Sequence, residues 1–159
     1  MRLPAPAGLF VDTNLLVLYT VGNVNRERIE TFKRTRSYTK RDFDLLVGVI
    51  EENRPLYSVP HVLAEVSNLV DLPGEERLIA RSVLRELIQS LQESEVASIV
   101  AAVTPVYVQL GLADAAIGIV ARAKSCAVLT DDLDLFLLLS RMNVEVFNFN
   151  YLRAREMGL

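Results

Sequence analysis

The acidic residues with the clearest chemical potential occupy intervals of the chain that contain no lysine or arginine. The segment AVLTDDLDLF, residues 127–136, places three carboxylates in four positions directly after an apolar run. Basic residues are absent from residues 3–25, 55–76, 86–121 and 125–140. Those intervals contain Asp12, Glu65, Asp114 and the group Asp131, Asp132 and Asp134. No local ion pair can therefore neutralise these side chains.

An ionised carboxylate removed from water is costly unless another charge compensates it. Mg²⁺ and Mn²⁺ favour oxygen ligands and are typically held by a few carboxylates together with water. A distant arginine that folds over the acids is the other way to neutralise them. Because all four basic-free intervals carry acids, we expect these carboxylates to form a site for a divalent cation.

Helix capping is the competing interpretation for some of these aspartates. Asp12 precedes an apolar helical pattern, and Asp131 or Asp132 precedes another, so each could be an ordinary N-cap. Asp134 could be a solvated first-turn acid that favours the helix dipole. Glu65 and Asp114 have no such capping position and lie among apolar helix residues, so we expect both to point inward.

Length and composition indicate one domain, residues 1–159, with a sizeable core. The chain is 51% hydrophobic with a mean hydropathy of +0.27, which favours a homodimer or a bound partner chain that covers apolar surface. The apolar residues 8–24 are interrupted by polar ones, and their flanks do not suit a membrane span. We expect a soluble cytoplasmic protein.

Several classes of enzyme are excluded by what the sequence lacks. His61 is the one histidine, so zinc sites built on two or three imidazoles cannot form. There is no G-x-S-x-G, Walker A or G-x-G-x-x-G pattern. The one cysteine, Cys126, cannot form an internal disulfide, and we interpret it as a buried, inert thiol.

Apolar runs that alternate with helical patterns predict an α/β domain. Strands are expected at residues 8–12, 55–59, 126–130 and 144–149, and helices at 14–21, 60–72, 74–91, 112–124 and 132–143. Residues 98–109 are ambiguous between strand and helix, with Pro105 interrupting either. Wholly apolar strands indicate a mostly parallel sheet covered by helices on both faces. Ligand sites in such sheets lie outside the carboxyl ends of the strands, where Asp12 and the aspartates after Thr130 fall.

Four segments, in this order, resemble the motifs of the PIN-domain nucleases, which include the VapC-type toxins of toxin-antitoxin pairs. They are LFVDTNLLV with Asp12, PHVLAEVSNL with Glu65, LGLADAAIGIVA with Asp114, and VLTDDLDLF with Asp132. The resemblance covers nearly the whole chain, and it rests on the four motifs together rather than on any single one.

The resemblance implies a PIN-like fold, a central parallel sheet flanked by helices, and a Mg²⁺- or Mn²⁺-dependent endoribonuclease. It places Asp12, Glu65, Asp114 and Asp132 around the metal, with Asp134 of the T-x-D-x-D pattern as a further ligand. Asn14 and Thr130 would be polar supports of the site. Asp131 occupies the variable position of the motif and receives no ligand role.

The helix of Glu65 carries two further polar residues at helical spacing. His61 lies about one turn before Glu65 and Asn68 one turn after it, on the same stripe. We expect Asn68 to support the site. For His61 a structural hydrogen bond is favoured over catalysis.

The segment RERIETFKRTRSYTKR, residues 26–41, is the one concentrated source of positive charge. Its basic residues are Arg26, Arg28, Lys33, Arg34, Arg36, Lys40 and Arg41. They could contact RNA phosphates while Phe32 and Tyr38 stack on bases. A solvated helix face is an equally good interpretation, and an acidic segment of an antitoxin could use the same patch.

Other functions remain to be weighed against a toxin nuclease. A free-standing PIN nuclease in RNA processing, and a non-catalytic PIN-like module that binds RNA or protein, would have similar sequences. A receiver domain requires a lysine after a late strand, and haloacid-dehalogenase-type phosphatases require D-x-D after the first strand, where this chain has Asp12-Thr13-Asn14. Neither phosphotransfer class fits well.

Overall fold

The computed structural model describes residues 1–4 and 7–158, which form an α/β fold around a parallel sheet. Its strands are β1 (Leu9–Val11), β2 (Leu56–Ser58), β3 (Gln92–Glu93), β4 (Ala127–Thr130) and β5 (Val146–Asn148). Their order across the sheet is β3-β2-β1-β4-β5, and each of the four pairings is parallel. The prediction of an α/β domain with a mostly parallel sheet is confirmed.

Nine α-helices flank this sheet in the described part of the chain. They are α1 (Thr13–Val24), α2 (Lys40–Glu52), α3 (Pro60–Leu69), α4 (Glu75–Ser90), α5 (Ser98–Ala102), α6 (Pro105–Leu110), α7 (Leu112–Lys124), α8 (Leu133–Arg141) and α9 (Phe149–Glu156). A short 3₁₀ turn, Arg26–Arg28, follows α1. This arrangement is consistent with the PIN-like fold that the motif resemblance implies.

The ambiguous segment 98–109 is helical, as α5 and α6. Pro105 is tolerated because it occupies the start of α6, where its missing N–H is not needed. The Thr104 hydroxyl accepts a hydrogen bond from the Tyr107 backbone N–H at 3.3 Å and so caps the helix. The residue that breaks the pattern in the sequence therefore opens a helix in the structure.

Three elements had no counterpart in the sequence prediction: α2, α9 and β3. Helix α2 begins with a capping box between Thr39 and Asp42 and buries one apolar face that includes Leu46 and Ile50. Strand β3 has two exposed residues, so only its backbone pairing with β2 identifies it. Helix α9 mixes polar and apolar residues, with Phe149 and Leu152 buried.

The core lies on both sides of β1 and β4, whose residues are buried throughout. Phe10 on β1 and Leu129 on β4 are fully enclosed, with Leu15 of α1 and Ile117 of α7 packed in the same core. These packed central strands hold the residues that follow them in fixed positions.

No helix in the described ranges is long and apolar enough to cross a bilayer.

Candidate active site at the carboxyl edge of the sheet

The centre of the acidic site is the point where two adjacent strands end. Strand β1 ends at Val11 and pairs with β4, which ends at Thr130, so Asp12 and Asp131 leave the same edge of the sheet. The chain moves from β1 to β2 on one side and returns to β4 on the other. This reversal of strand order is the position where open α/β sheets bind ligands.

Asp12 is buried, with 4% of its surface exposed, and both of its carboxylate oxygens are hydrogen-bonded. Oδ1 accepts the Leu15 backbone N–H at 3.1 Å, so Asp12 is the N-cap of α1. Oδ2 accepts the hydroxyl of Thr130. Burial, followed by the nearby charge of Asp131, raises the pKa of Asp12 to about 8. Capping and proximity to other acids therefore occur together at this residue.

Thr130 joins two of the predicted ligands. Its fully buried hydroxyl donates to Asp12 and accepts the backbone N–H of Asp132 at 2.9 Å. One side chain thus sets the spacing between the end of β1 and the start of α8.

Asp131 also belongs to the site, although the motif match left it without a role. Its carboxylate accepts hydrogen bonds from Asn14 Nδ2 at 3.3 Å and from the hydroxyl of Tyr38. Its backbone oxygen accepts Asn150 Nδ2 at 3.0 Å. The unusual density of carboxylates in TDDLD was the feature of the sequence that could have indicated a role for Asp131. The position of Asp131 beside Asp12 follows from the pairing of β1 with β4.

Asp132 is the N-cap of α8, as the capping interpretation proposed. Its Oδ1 accepts the backbone N–H groups of Asp134 at 2.7 Å and Leu135 at 3.0 Å. The residue is exposed, and its charge contributes to the raised pKa of Asp114. Asp132 therefore caps a helix and also faces another predicted ligand.

Asp114 of α7 lies close enough to Asp132 and to Glu65 of α3 for their charges to act on it. Asp114, half-buried in the first turn of α7, has its pKa raised to about 7 by burial and then by the charges of Asp132 and Glu65. The expectation that Glu65 points inward is wrong, because it borders the buried stripe of α3 and is exposed. Its Oε2 accepts the Thr13 hydroxyl at 3.0 Å, a contact that the sequence did not reveal.

The side chains of two predicted residues line hollows outside this group of acids. Asn68 is exposed and lines a hollow between α3 and α4, beside Arg77. Asp134 is exposed in the first turn of α8 and lines another hollow with Gln109 and Arg141. The hydrogen bonds described here connect neither side chain to the acids, so their roles at the site stay predictions.

The donor chemistry suits a hard cation, but the residues that the structure describes do not form a complete ligand set. No ion pair among residues 1–4 and 7–158 involves any of the clustered acids. Their oxygens are the ligands that Mg²⁺ and Mn²⁺ prefer. In the same residues, no three His, Cys, Asp or Glu side chains converge closely enough to hold one ion. The metal site therefore stays a prediction, supported by charge and donor type rather than by ready geometry.

The basic segment 26–41 is neither a continuous helix nor wholly free for RNA. Three of its basic residues form ion pairs: Arg26 with Asp44 at 2.7 Å, Arg28 with Glu76 at 2.8 Å, and Lys40 with Glu27. Turns occupy most of residues 29–38, so the interpretation as a solvated helix face is wrong. The exposed basic residues outside these ion pairs are Lys33, Arg34, Arg36 and Arg41.

The aromatic residues of this segment do not form a stacking platform. Tyr38 is 3% exposed, and its hydroxyl is engaged by Asp131. Phe32 is half-buried against the core. The expectation that Tyr38 stacks on bases is wrong, because the ring is enclosed by the fold.

The lone histidine and cysteine have structural surroundings. His61 Nε2 lies 3.0 Å from the Ser98 hydroxyl at the start of α5, a contact of the structural kind that was favoured for it. Cys126 is buried, and burial raises the pKa of its thiol to about 11. A thiol with so high a pKa is a poor nucleophile at neutral pH.

Comparisons with known proteins assign no family to this chain. No protein-family model matches it, and no curated protein matches it either. One similar solved structure is a domain of a functionally unknown protein from Methanocaldococcus jannaschii, 15% identical, with a TM-score of 0.47. That alignment covers 90% of this chain and 91% of the other. A likeness this weak identifies neither a family nor a function.

Proposed function

We propose that the protein is a metal-dependent endoribonuclease of the PIN-like type, a hydrolase that cleaves RNA phosphodiester bonds. One observation carries the proposal: acids from four separate segments influence one another, yet none has a basic partner in the described part of the chain. The pKa of Asp12 rises to about 8 and that of Asp114 to about 7. Burial is the larger cause of both shifts, and repulsion between the acids adds to it; a bound cation relieves that repulsion.

The residues proposed to hold Mg²⁺ or Mn²⁺ are Asp12, Glu65, Asp114 and Asp132, with Asp134 as a further candidate. The position of Asp131 beside Asp12 adds it to this group. A bound divalent ion lowers the pKa of a water molecule and stabilises the charge that develops on the phosphoryl and leaving oxygens.

In this proposal two threonine hydroxyls orient the acids, and one of the acids accepts a proton from the attacking water. Thr130 holds Oδ2 of Asp12, and Thr13 holds Oε2 of Glu65, so neither carboxylate rotates freely. Glu65 and Asp132 are exposed, which lets either accept a proton from water. The reaction needs no protein nucleophile, in keeping with the inert surroundings of Cys126.

RNA reaches this acidic edge only if nearby positive charge offsets the repulsion. The whole chain has a formal net charge of −3, so the attraction must be local. Lys33, Arg34, Arg36 and Arg41 are exposed, and Tyr38 of the same segment contacts Asp131. The basic segment is thereby tethered to the proposed site.

Two settings fit such a nuclease: the toxin of a toxin-antitoxin pair, or an RNA-processing enzyme. An antitoxin would cover the free arginines with acidic residues. Homodimer formation is proposed on apolar surface, since Ile99, Val103 and Val108 of the α5–α6 region are 74%, 78% and 81% exposed. With RNA as substrate, the protein would act in the cytoplasm.

A non-catalytic module that binds RNA or protein is the second candidate. It is favoured by the fact that Asp12 and Asp132 both act as helix N-caps. It is also favoured by the lack of three converging ligands among the described residues. In this case the acids would serve folding and electrostatic partner choice rather than hydrolysis.

A nuclease assay on a pool of cellular RNAs, with Mg²⁺, Mn²⁺ or a chelator, tests the proposal. Cleavage that requires a divalent ion and is lost in Asp12→Asn supports the nuclease. Tight RNA binding without cleavage under every condition supports the module instead. Growth arrest on expression that Asp12→Asn abolishes would assign the toxin role.

A further inference from the structure

The hollow between α3 and α4 is a surface feature that the acidic site does not use. It has a volume of about 190 Å³ and opens to solvent on the helix that carries Glu65. Asn68, which lines it, lies three residues beyond Glu65, a rise of about 4.5 Å along an α-helix. The hollow therefore begins about one helical turn from Glu65, one of the proposed metal ligands.

Two arginines of α4 give this hollow its positive charge. Arg77 and Arg81 are four residues apart, so both project from the same face of the helix. Arg77 Nε donates to the Leu72 carbonyl at 3.4 Å, and Nη2 lies 3.7 Å from Asp71. Arg81 forms no ion pair among residues 1–4 and 7–158. Two guanidinium groups thus face one carboxylate.

The ion pair between Arg77 and Asp71 is too weak to neutralise the hollow. Its side chains are 54% and 66% exposed, and solvent strongly screens a pair at 3.7 Å. An anionic ligand could therefore engage Arg77 without breaking a strong contact. Arg81 has no ion pair in the described part of the chain that an anionic ligand would have to replace.

The opposite wall and the floor complete a surface suited to a phosphate group. Ser67 and Asn68 of α3 bring a hydroxyl and an amide, both of which can donate hydrogen bonds. Ala80 and Leu84 are buried and form an apolar floor. Planar guanidinium groups with neutral donors match the several oxygens of a phosphodiester.

We propose that this hollow binds a backbone phosphate of the RNA, a short distance along the RNA strand from the scissile bond. This inference rests on the proposed nuclease function and deepens it by adding an RNA contact outside the basic segment. The two arginines would also add positive charge for RNA binding that the basic segment lacks, because Arg26, Arg28 and Lys40 of that segment are held in internal ion pairs.

The test measures binding of a labelled single-stranded RNA by fluorescence anisotropy over a range of salt concentrations. The full chain carries Asp12→Asn so that the RNA stays intact. Each phosphate contact to a single strand contributes about 0.7 to the slope of log K against log salt. Arg77→Ala with Arg81→Ala removes both groups that hold this one phosphate, so the slope should fall by about 0.7.

The matched control is Arg85→Ala, an exposed arginine of α4 that does not line the hollow. It should leave the slope unchanged. Arg81→Ala alone should lower the slope by part of that 0.7, and it disturbs no described ion pair. An unchanged slope in the double variant, or an equal loss in Arg85→Ala, would overturn the proposal.

Two further results separate this site from the nuclease proposal itself. If the unmodified protein cleaves RNA with a divalent ion, but the salt slope of binding is the same with and without Arg77 and Arg81, the phosphate site alone is overturned. A protein that neither binds nor cleaves RNA would overturn both. Binding of inorganic phosphate that requires both arginines, while RNA binding does not, would assign the hollow to a free anion and reject the RNA contact.

Discussion

The hydroxyl of Tyr38 donates a hydrogen bond to the carboxylate of Asp131 across 93 residues of sequence. This contact attaches the basic segment 26–41 to the acidic edge of the sheet. Arg153 of α9 lies over the Tyr38 ring, 5.3 Å from its centroid, and bonds Asp42 at 2.8 Å. The C-terminal helix, the basic segment and the site are therefore one connected structure.

Replacing Tyr38 with phenylalanine should destabilise the protein. The change keeps the buried ring but leaves Asp131 with one donor fewer, at a cost of about 2 kcal/mol for a bond to a charged group. For a chain of this size the Tm should fall by roughly 4–8 °C. Thermal unfolding followed by circular dichroism measures this directly.

Tyr151→Phe is the matched control for that experiment. Tyr151 is 60% exposed and packs edge-on against Phe136 through its ring. Its Tm should stay within about 1 °C of the parent, since surface changes usually have small effects. Equal Tm values for the two variants would contradict a structural role for the Tyr38 hydroxyl.

Asp114→Asn should abolish divalent-dependent RNA cleavage and leave the fold intact. Asp114 is half-buried beside Asp132 and Glu65, and burial followed by their charges raises its pKa to about 7. The variant should lose at least about a hundredfold in rate, a size typical when an important catalytic interaction is removed. Glu86→Gln, exposed on α4, should retain the parental rate. Cleavage by Asp114→Asn at that same rate would remove Asp114 from the site.

Without divalent ions, stability should fall as pH rises from about 4 to about 8. The pKa of Asp12 is raised from 3.8 to about 8, so the folded protein retains a proton that the unfolded chain releases in this range. The free energy of unfolding therefore decreases with rising pH. Asp114, with its pKa raised to about 7, acts in the same direction. Measurements of Tm at several pH values in a chelator test this.

Asp12→Asn should flatten that pH dependence, leaving the part due to Asp114. Asparagine remains a good N-cap for α1, so the helix should be preserved. Adding Mn²⁺ at pH 8 should raise the Tm of the parent more than that of the variant, because the ion stabilises the ionised carboxylate. A Tm of the parent that increases between pH 5 and 8 in chelator would refute the assignment.

Arg34→Ala with Arg36→Ala should weaken RNA binding more than Arg26→Ala with Arg28→Ala. Both pairs of substitutions remove the same charge. Arg26 and Arg28 are already held by Asp44 and Glu76, whereas Arg34 and Arg36 are exposed outside the described ion pairs. The salt slope should decrease by about 1.4 for the first pair and by less for the second. Equal slopes would show that the ion pairs do not restrict RNA contact.

Val103→Glu should convert a homodimer into a monomer, as measured by analytical ultracentrifugation. Val103 is 78% exposed in the apolar α5–α6 region, and a buried charge without a partner opposes association. Leu78→Glu, at a residue of α4 that is 66% exposed, is the matched control and should leave the dimer intact. A parent that sediments as a monomer at micromolar concentration would contradict self-association through this surface.

Much of the fold could be predicted because its central elements depend on local patterns. Strands β1 and β4 are uninterrupted apolar runs, and Asp12 and Asp131 follow them directly. The helix of Glu65 begins at Pro60, which marks a first helical turn. In contrast, β3 has two exposed residues and exists through its backbone pairing with β2, which no side-chain pattern records.

The sequence by itself determined most of the strands and helices around the site, and it located acids in intervals without basic residues. Only the tertiary structure decided which of those acids become neighbours. Asp131 joins Asp12 because β4 pairs with β1, and Thr13 reaches Glu65 because α1 and α3 pack together. The physical reason is range: strand and helix patterns repeat over a few residues, whereas burial, charge repulsion and ion pairing depend on contacts between distant parts of the chain.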